Sequence, residues 1–416
     1  MPARSAAILA FLSLLVGACG GSSNPSGLHG TDRASEAGVA RITRSWSSPV
    51  GDINLDGKPD FILVTHFTAP DSIFVNTGGR FVELAPKTLF ARDRHSCAIG
   101  DVNRDGLPDI FCAIGGHRGT AKRSNELWLQ QKDHTFVDKA KAYGVTDELG
   151  RGRSPALVDV NKDGYVDLFV ANQTPRADRS SVPNRLYINE RGLRFRSEPN
   201  AGLDVAIGSV CLKVVDWDSD GDPDFLNCGN TAVQLFRNEG GRFTEIAKQL
   251  RLLPVPPGTD QRPRNTTDYR PHWKDAALSD LNGDGYLDAI GIAWDGLVIQ
   301  RGSASGFAPP RRIKELYGGW ALAIGDINKD SRLDVYALQT CLNGKNEKPD
   351  FMFINNGSLK FSEVPMDEST RGCGESVTTI DYNADGRSDF IVLNGYGAVK
   401  GPVQLIDFAP EPNPPR

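Results

Sequence analysis

Residues 51–62 read GDINLDGKPDFI, with side-chain oxygens at Asp52, Asn54, Asp56 and Asp60 and a glycine at Gly57. Carboxylates crowded this closely repel one another and resist ionising together. A chain that keeps them needs something to offset the repulsion. This chain keeps them seven times: the pattern starts at Asp52, Asp101, Asp159, Asp216, Asp280, Asp326 and Asp381, at spacings of 49, 58, 57, 64, 46 and 55 residues. A unit recurring at roughly 50 residues marks a repeat architecture.

Numbered from its first aspartate, each copy carries side-chain oxygens at positions one, three, five and nine, and position seven can add its backbone carbonyl. The candidate ligands of the first two copies are Asp52, Asn54, Asp56, Lys58 and Asp60, then Asp101, Asn103, Asp105, Leu107 and Asp109. The third and fourth offer Asp159, Asn161, Asp163, Tyr165 and Asp167, then Asp216, Asp218, Asp220, Asp222 and Asp224. The fifth offers Asp280, Asn282, Asp284, Tyr286 and Asp288, and the sixth Asp326, Asn328, Asp330, Arg332 and Asp334. The seventh offers Asp381, Asn383, Asp385, Arg387 and Asp389. Hard oxygen donors at this spacing suit Ca²⁺, with a glycine at position six for the sharp turn. Asx-rich turns between strands are the plainer alternative, but aspartate at positions one, five and nine of every copy favours calcium, in up to seven sites. The sixth site is the weakest expectation, because Ser331 stands where the others have glycine. A side chain in a left-handed turn is strained by roughly 1 kcal/mol.

Helix-flanked calcium loops need an acidic ligand at position twelve. Here that position is Leu63, Cys112, Val170, Asn227, Gly291, Ala337 and Val392. The residues after position nine (FILV, IFCAI, LFVA, FIVL) are short apolar runs that fit buried strands. Small residues precede several motifs, such as Ser96 with Ala98 and Ala321 with Ala323, as an innermost strand near an axis requires. Further on come Asn, a turn and Phe: IFVNTGGRF, LYINERGLRF, LFRNEGGRF, FINNGSLKF. Strand, loop, strand, link, strand, glycine turn, strand is a four-stranded propeller blade.

These units resemble the FG-GAP (VCBS-like) repeats of the integrin α-chain propeller and of many bacterial surface proteins, over about residues 30–408. The resemblance implies an all-β, seven-bladed β-propeller with a structural Ca²⁺ loop in each blade. The seventh unit ends after GPVQLIDF without a fourth strand, whereas residues 30–39 (GTDRASEAGV) match residues 136–145 (FVDKAKAYGV), with Asp32 on Asp138 and Gly38 on Gly144. Residues near 30–36 are therefore expected beside 402–408, completing blade seven and removing two sheet edges.

Arg4 and the apolar run Ala6–Val16 read as an export signal over residues 1–18, and Val16-Gly17-Ala18-Cys19 resembles a lipoprotein cleavage box that would leave Cys19 lipidated. Residues 19–29 would form a tether and 409–416 a disordered tail. An ordinary signal peptide with a chance cysteine is the alternative. The expected location is the cell envelope, with membrane contact through the lipid alone. Net charge is −5 and no basic run suggests nucleic acid. A monomer is expected.

Six further cysteines in an exported chain suggest disulfides. Counted from the motif aspartate, Cys97 and Cys112 lie at −4 and +11, and Cys211 and Cys228 at −5 and +12. Both pairs sum to +7, as opposed residues of one hairpin do. Cys341 and Cys373 give the same sum across neighbouring blades and form the third expected pair.

The irregular links all fall at the end of the blades away from the calcium loops, with His66, His95, His117 and His272 among them. Residues six before each motif are Trp46, His95, Arg153, Val210, Lys274, Trp320 and Glu375. They are expected to ring the mouth of the central channel, with Trp46, His95, Arg153, Lys274 and Trp320 as candidate contacts to a carbohydrate or protein partner. Titrating histidines would strengthen binding of an anion at mildly acidic pH. Solvated loops with scattered aromatics are the bland alternative. A polysaccharide lyase or hydrolase using the cluster Tyr269, Arg270 and His272 is the enzymatic one, although no nucleophile, zinc or cofactor motif is present. A binding or adhesion module without catalysis is the favoured reading.

Overall fold

The computed structural model describes residues 28–66, 69–84, 89, 91–115, 124–173, 182–205, 208–229, 233–253, 273–341, 349–395 and 399–408. The leader, Cys19, residues 409–416 and the loop residues His117, Tyr269, Arg270 and His272 lie outside the described residues. Seven antiparallel sheets follow one another along the chain. Blade three shows the plan: Gly152–Val158 innermost, then Asp167–Asn172, Arg185–Asn189 and Phe195–Ser197. The second strands are the apolar runs of the sequence. Asp60–Thr65, Asp109–Ile114, Asp167–Asn172 and Asp389–Asn394 are buried at every residue, because each is paired on both edges and packed on both faces.

The chain has no single core. Seven apolar clusters fill the seven wedges between neighbouring blades. Between blades three and four, Phe169 stacks on Phe225 with ring centroids 4.7 Å apart. Each blade buries its faces only against its neighbours, so no blade is complete alone.

Closure comes from both ends of the described chain. Thr31 pairs with Asp407 and Asp32 with Ile406, which puts Thr31–Asp32 outermost in blade seven. Ile42–Thr43 adds a short contact to Pro402 and Gly401 before the chain enters blade one. The strand is shorter than residues 30–36, because the chain turns into the helical turn Ala34–Ala37. Asp32 Oδ1 accepts the N–H of Ala34 at 2.9 Å, as Asp138 Oδ1 does from Ala140 in blade two, and Gly38 and Gly144 end the two turns at φ 82° and 77°.

Three disulfides are present. Cys97 faces Cys112 and Cys211 faces Cys228 in the register of their hairpins, and Cys341–Cys373 ties the exit of blade six to the entry of blade seven.

Candidate functional site

Each inner strand has two ends of interest, six residues or about 20 Å apart. The motif end follows one plan, from which the loop of blade four and Asp389 of blade seven depart. In blade one, Asp52 accepts N–H bonds from Asp56 (3.0 Å) and Gly57 (2.9 Å), and Asn54 accepts one from Asp56 at 3.1 Å. This wrapping needs left-handed backbone twice. Position six takes φ 81° at Gly57 and 65° at Ser331, the one side chain there. Position four is left-handed as well, at Leu55 (62°), Arg104 (58°), Lys162 (58°), Ser219 (60°), Lys329 (61°) and Ala384 (55°). The sequence hides that second turn, since only Gly283 announces it with a glycine.

Position nine is a brace. Asp167 is fully buried, accepts the N–H of Val160 at 3.0 Å and that of Asn189 at 2.8 Å, and so locks the loop to the third strand. Asp60, Asp109, Asp224, Asp288 and Asp334 repeat both bonds. Burial, with nearby motif aspartates adding to it, raises these carboxyls: to about 7 at Asp109 and Asp334, about 6 at Asp167 and Asp224, and about 9 at Asp389 beside Asp407. In blade four, oxygens of Asp216, Asp218 and Asp224 lie within 4.8 Å of one another. An oxygen set that is acidic, converging and mutually repelling fits a hard divalent cation.

The Asn that ends the third strand of blades one, three, four and six, and Gln130 in blade two, do more than turn the chain. Asn189 Nδ2 donates to Val102 O of the preceding blade at 2.8 Å, Asn238 to Val160 O at 2.8 Å, and Gln130 to Ile53 O at 3.1 Å. Asn76 reaches Tyr382 O (2.8 Å) across the closure, and Asn355 reaches Leu281 O (2.6 Å). Position two of one loop is thus held by the next blade. Two junctions differ: Arg387 Nη1 supplies the bond to Ile327 O (3.1 Å), and between blades four and five Gly302 has no side chain while Trp217 packs on Phe307 at 5.2 Å.

The other end carries the seven residues expected at the mouth. In six blades that residue is the extra residue of a β-bulge, where register shifts across Trp46, His95, Arg153, Val210, Trp320 and Glu375. Lys274 holds the same place in blade five, its N–H on Ile292 O at 2.8 Å. A bulge frees one residue from the ladder and re-aims its side chain, here into one shared space. Arg153 of blade three lies over Trp46 of blade one (5.7 Å), and Lys274 of blade five over Trp320 of blade six (4.5 Å). Glu375 of blade seven accepts a hydrogen bond from Trp320 and feels Arg153, Lys274 and Arg44. Contacts among five blades are possible only around the axis. Val210 brings no polar group to this ring.

Burial pushes Glu375 up to about 8 against the pull of those three cations, and burial beside Arg151 lowers Arg153 to about 9. For His95 the expectation of a titrating histidine needs correcting. His95 is buried, and desolvation with Arg153, His66 and Arg151 holds it well below its ordinary 6.5, so it stays neutral at mildly acidic pH. Among the seven mouth residues, Glu375 is the carboxyl raised toward neutrality. Arg94 also went unforeseen: fully buried, it bonds Asp71 (3.1 Å) and Glu126 (2.6 Å) across blades one and two. Asp71 and Glu126 begin third strands and carry no motif, so nothing in the sequence ties them to Arg94.

The family model for FG-GAP-like repeats matches residues 52–112, 101–170, 159–227 and 280–337. The chain belongs to the FG-GAP-like repeat family. Cartilage acidic protein 1 of Xenopus tropicalis is 29% identical over 201 residues, 46% of this chain and 28% of the relative. The human protein is 26% identical over 202 residues, 46% and 27% respectively. The chain thus matches little more than a quarter of those relatives' length. Among solved structures, an Agrocybe aegerita lectin superposes with TM-score 0.53 at 18% identity, covering 88% of this chain and 89% of the lectin. BBS1N in complex with ARL6DN gives 0.52 at 10% identity, covering 90% and 95%. At these identities the likeness is one of fold alone.

Proposed function

We propose that this FG-GAP-like propeller is a binding module of the cell envelope, stiffened by calcium at one end of its ring and recognising a carbohydrate or protein partner at the other. The convergence of Trp46, Arg153, Lys274, Trp320 and Glu375 on the axis carries this reading. Tryptophan faces accept sugar rings or apolar side chains, and fixed cations select anionic groups. The fold neighbours support the class without naming the ligand: the Agrocybe lectin recognises non-reducing terminal N-acetylglucosamine, and BBS1N is bound to ARL6DN.

Calcium would be held by the oxygens of positions one, three, five and nine with the carbonyl of position seven. It would offset the carboxylate repulsion and hold each loop rigid. Lipid attachment at Cys19 would keep the ring on the membrane. Among the described residues no helix is long and apolar enough to cross one.

The test is a glycan and polyanion array probed with the lipid-free chain in calcium and in chelator. Saturable binding that is lost on replacing Arg153 and Lys274 by Gln supports the reading. Binding indifferent to that change places the recognition surface elsewhere, and turnover of an arrayed polysaccharide replaces a binding module with an enzyme.

A further inference from the structure

His66, Asp93 and His95 form a cluster that neither the repeat nor the calcium loops explain. One ring nitrogen of each histidine and one carboxylate oxygen of Asp93 lie within 4.8 Å of one another. His66 Nε2 is 2.8 Å from Asp93 Oδ1, and His95 Nε2 is 3.8 Å from the same oxygen. Three elements deliver them. His66 follows the second strand of blade one, Asp93 pairs with it in a single bridge, and His95 is the bulge residue of blade two.

The surroundings hold the cluster in place. Trp46 stacks on His66 at 4.9 Å and meets His95 edge-on at 4.5 Å, so both rings are fixed against one indole. Gly115 lets the cluster pack against the backbone: a Cβ there would lie 2.0 Å from His95 Cε1, 2.6 Å from Nδ1 and 2.9 Å from Asp93 Oδ2, so any side chain at 115 would displace both groups. Among the described residues the buried Nδ1 of His95 has no hydrogen-bond partner. A buried imidazole nitrogen of this kind is open to a further partner.

We propose that His66, Asp93 and His95 bind a divalent transition-metal ion such as Zn²⁺ at the junction of blades one and two. Two imidazoles and one carboxylate form a mixed donor set that suits Zn²⁺, Co²⁺ or Ni²⁺ and differs from the all-oxygen loops at the opposite end of the ring. Three protein ligands leave at least one coordination position open. Arg153, which lies over Trp46 at 5.7 Å, places a fixed cation nearby, so the open position favours an anionic exogenous ligand.

The experiment uses the full chain in excess calcium, so that the oxygen loops are filled, titrated with CoCl₂. The expected result is one equivalent of Co²⁺ with visible d–d absorption, displaced by ZnCl₂ and accompanied by quenching of Trp46 fluorescence. His66→Gln and His95→Gln should each weaken Co²⁺ binding by at least about tenfold, the cost typical even of changing a residue that only orients a metal ligand. His66, at the rim of the cluster, is the variant to trust if His95→Gln fails to fold. Absence of stoichiometric Co²⁺ binding in excess calcium, or binding of unchanged affinity in folded His66→Gln, overturns the site. Glycan binding at the mouth is read without transition metal, so its failure is distinguishable from failure of the metal site.

Discussion

The two ends of the seven inner strands are opposites. At the motif end, Asp60 and its counterparts in blades two to six are one residue in one environment, buried and bonded to the same two backbone N–H groups. At the mouth, one backbone feature, the bulge, displays Trp, His, Arg, Val, Trp and Glu in six blades. Identical residues in identical surroundings serve the ring. Different residues on identical backbone serve whatever the ring meets. The seven-fold repeat is therefore a statement about architecture, and the departures from it are a statement about recognition.

The sharpest way to break that contrast is at the motif end. Asp167→Ala should leave two buried N–H groups, those of Val160 and Asn189, without acceptors and lower stability by on the order of 3 kcal/mol. Chelation should lower the melting temperature of the unaltered protein, because an ion bound only to the folded state stabilises it by mass action. Denaturant and thermal melts with and without chelator read both effects, and a melt that chelator does not move removes calcium from the account.

At the mouth the effect should appear in binding and not in folding. Arg153→Gln with Lys274→Gln should abolish binding of an anionic ligand. Glutamine is the replacement of choice because both cations face buried Glu375, and a smaller residue would open a cavity beside it. Array binding and a melting curve of the double variant separate the two outcomes.

The pH dependence follows from Glu375. Its carboxyl is raised from 4.5 to about 8, so the folded protein holds a proton that the unfolded chain releases. Stability from this group is full below about 4.5 and declines as pH rises through about 8. Glu375→Gln should flatten that decline, and in the unaltered protein anion binding should strengthen as pH falls through the same range. His95, held neutral, acts with opposite sign: the unfolded chain takes a proton below about 6.5 that the native ring refuses, so stability also falls on the acidic side. Melts from pH 5 to 9 on both proteins test the assignment.

The smallest effects sharpen the comparison within the motif end. Asn189→Ala removes the bond to Val102 O and should cost about 1–2 kcal/mol, whereas no such bond exists to lose at Gly302. Ser331→Gly should stabilise by up to about 1 kcal/mol, since φ is 65° there and glycine adopts it without strain.

The repeat was legible because aspartate spacing, glycine and apolar runs each report a local constraint. Blade number, the closing strand, all three cystine pairs and the position of the mouth residues followed from those constraints. What stayed hidden was relational. Leu55, Arg104 and Ala384 show no outward sign of a left-handed backbone. The reach of Asn189 into the preceding blade looks, in the sequence, like an ordinary turn residue. Arg94 finds Asp71 and Glu126 only once two blades are side by side. The neutrality of His95 comes from its burial first and then from the arginines of blade three, neither of which any stretch near residue 95 discloses.

The bulge has a consequence for how such a protein can change. A residue that stands outside the ladder lends the sheet no pairing that a replacement would forfeit. Six blades thus offer one codon each whose meaning can be rewritten while the scaffold stays silent. A lineage could drift from one ligand to another by point substitution at these six places, and a combinatorial library confined to them should yield mostly folded members with divergent tastes. Val210, inert among its polar companions, is the natural place to begin.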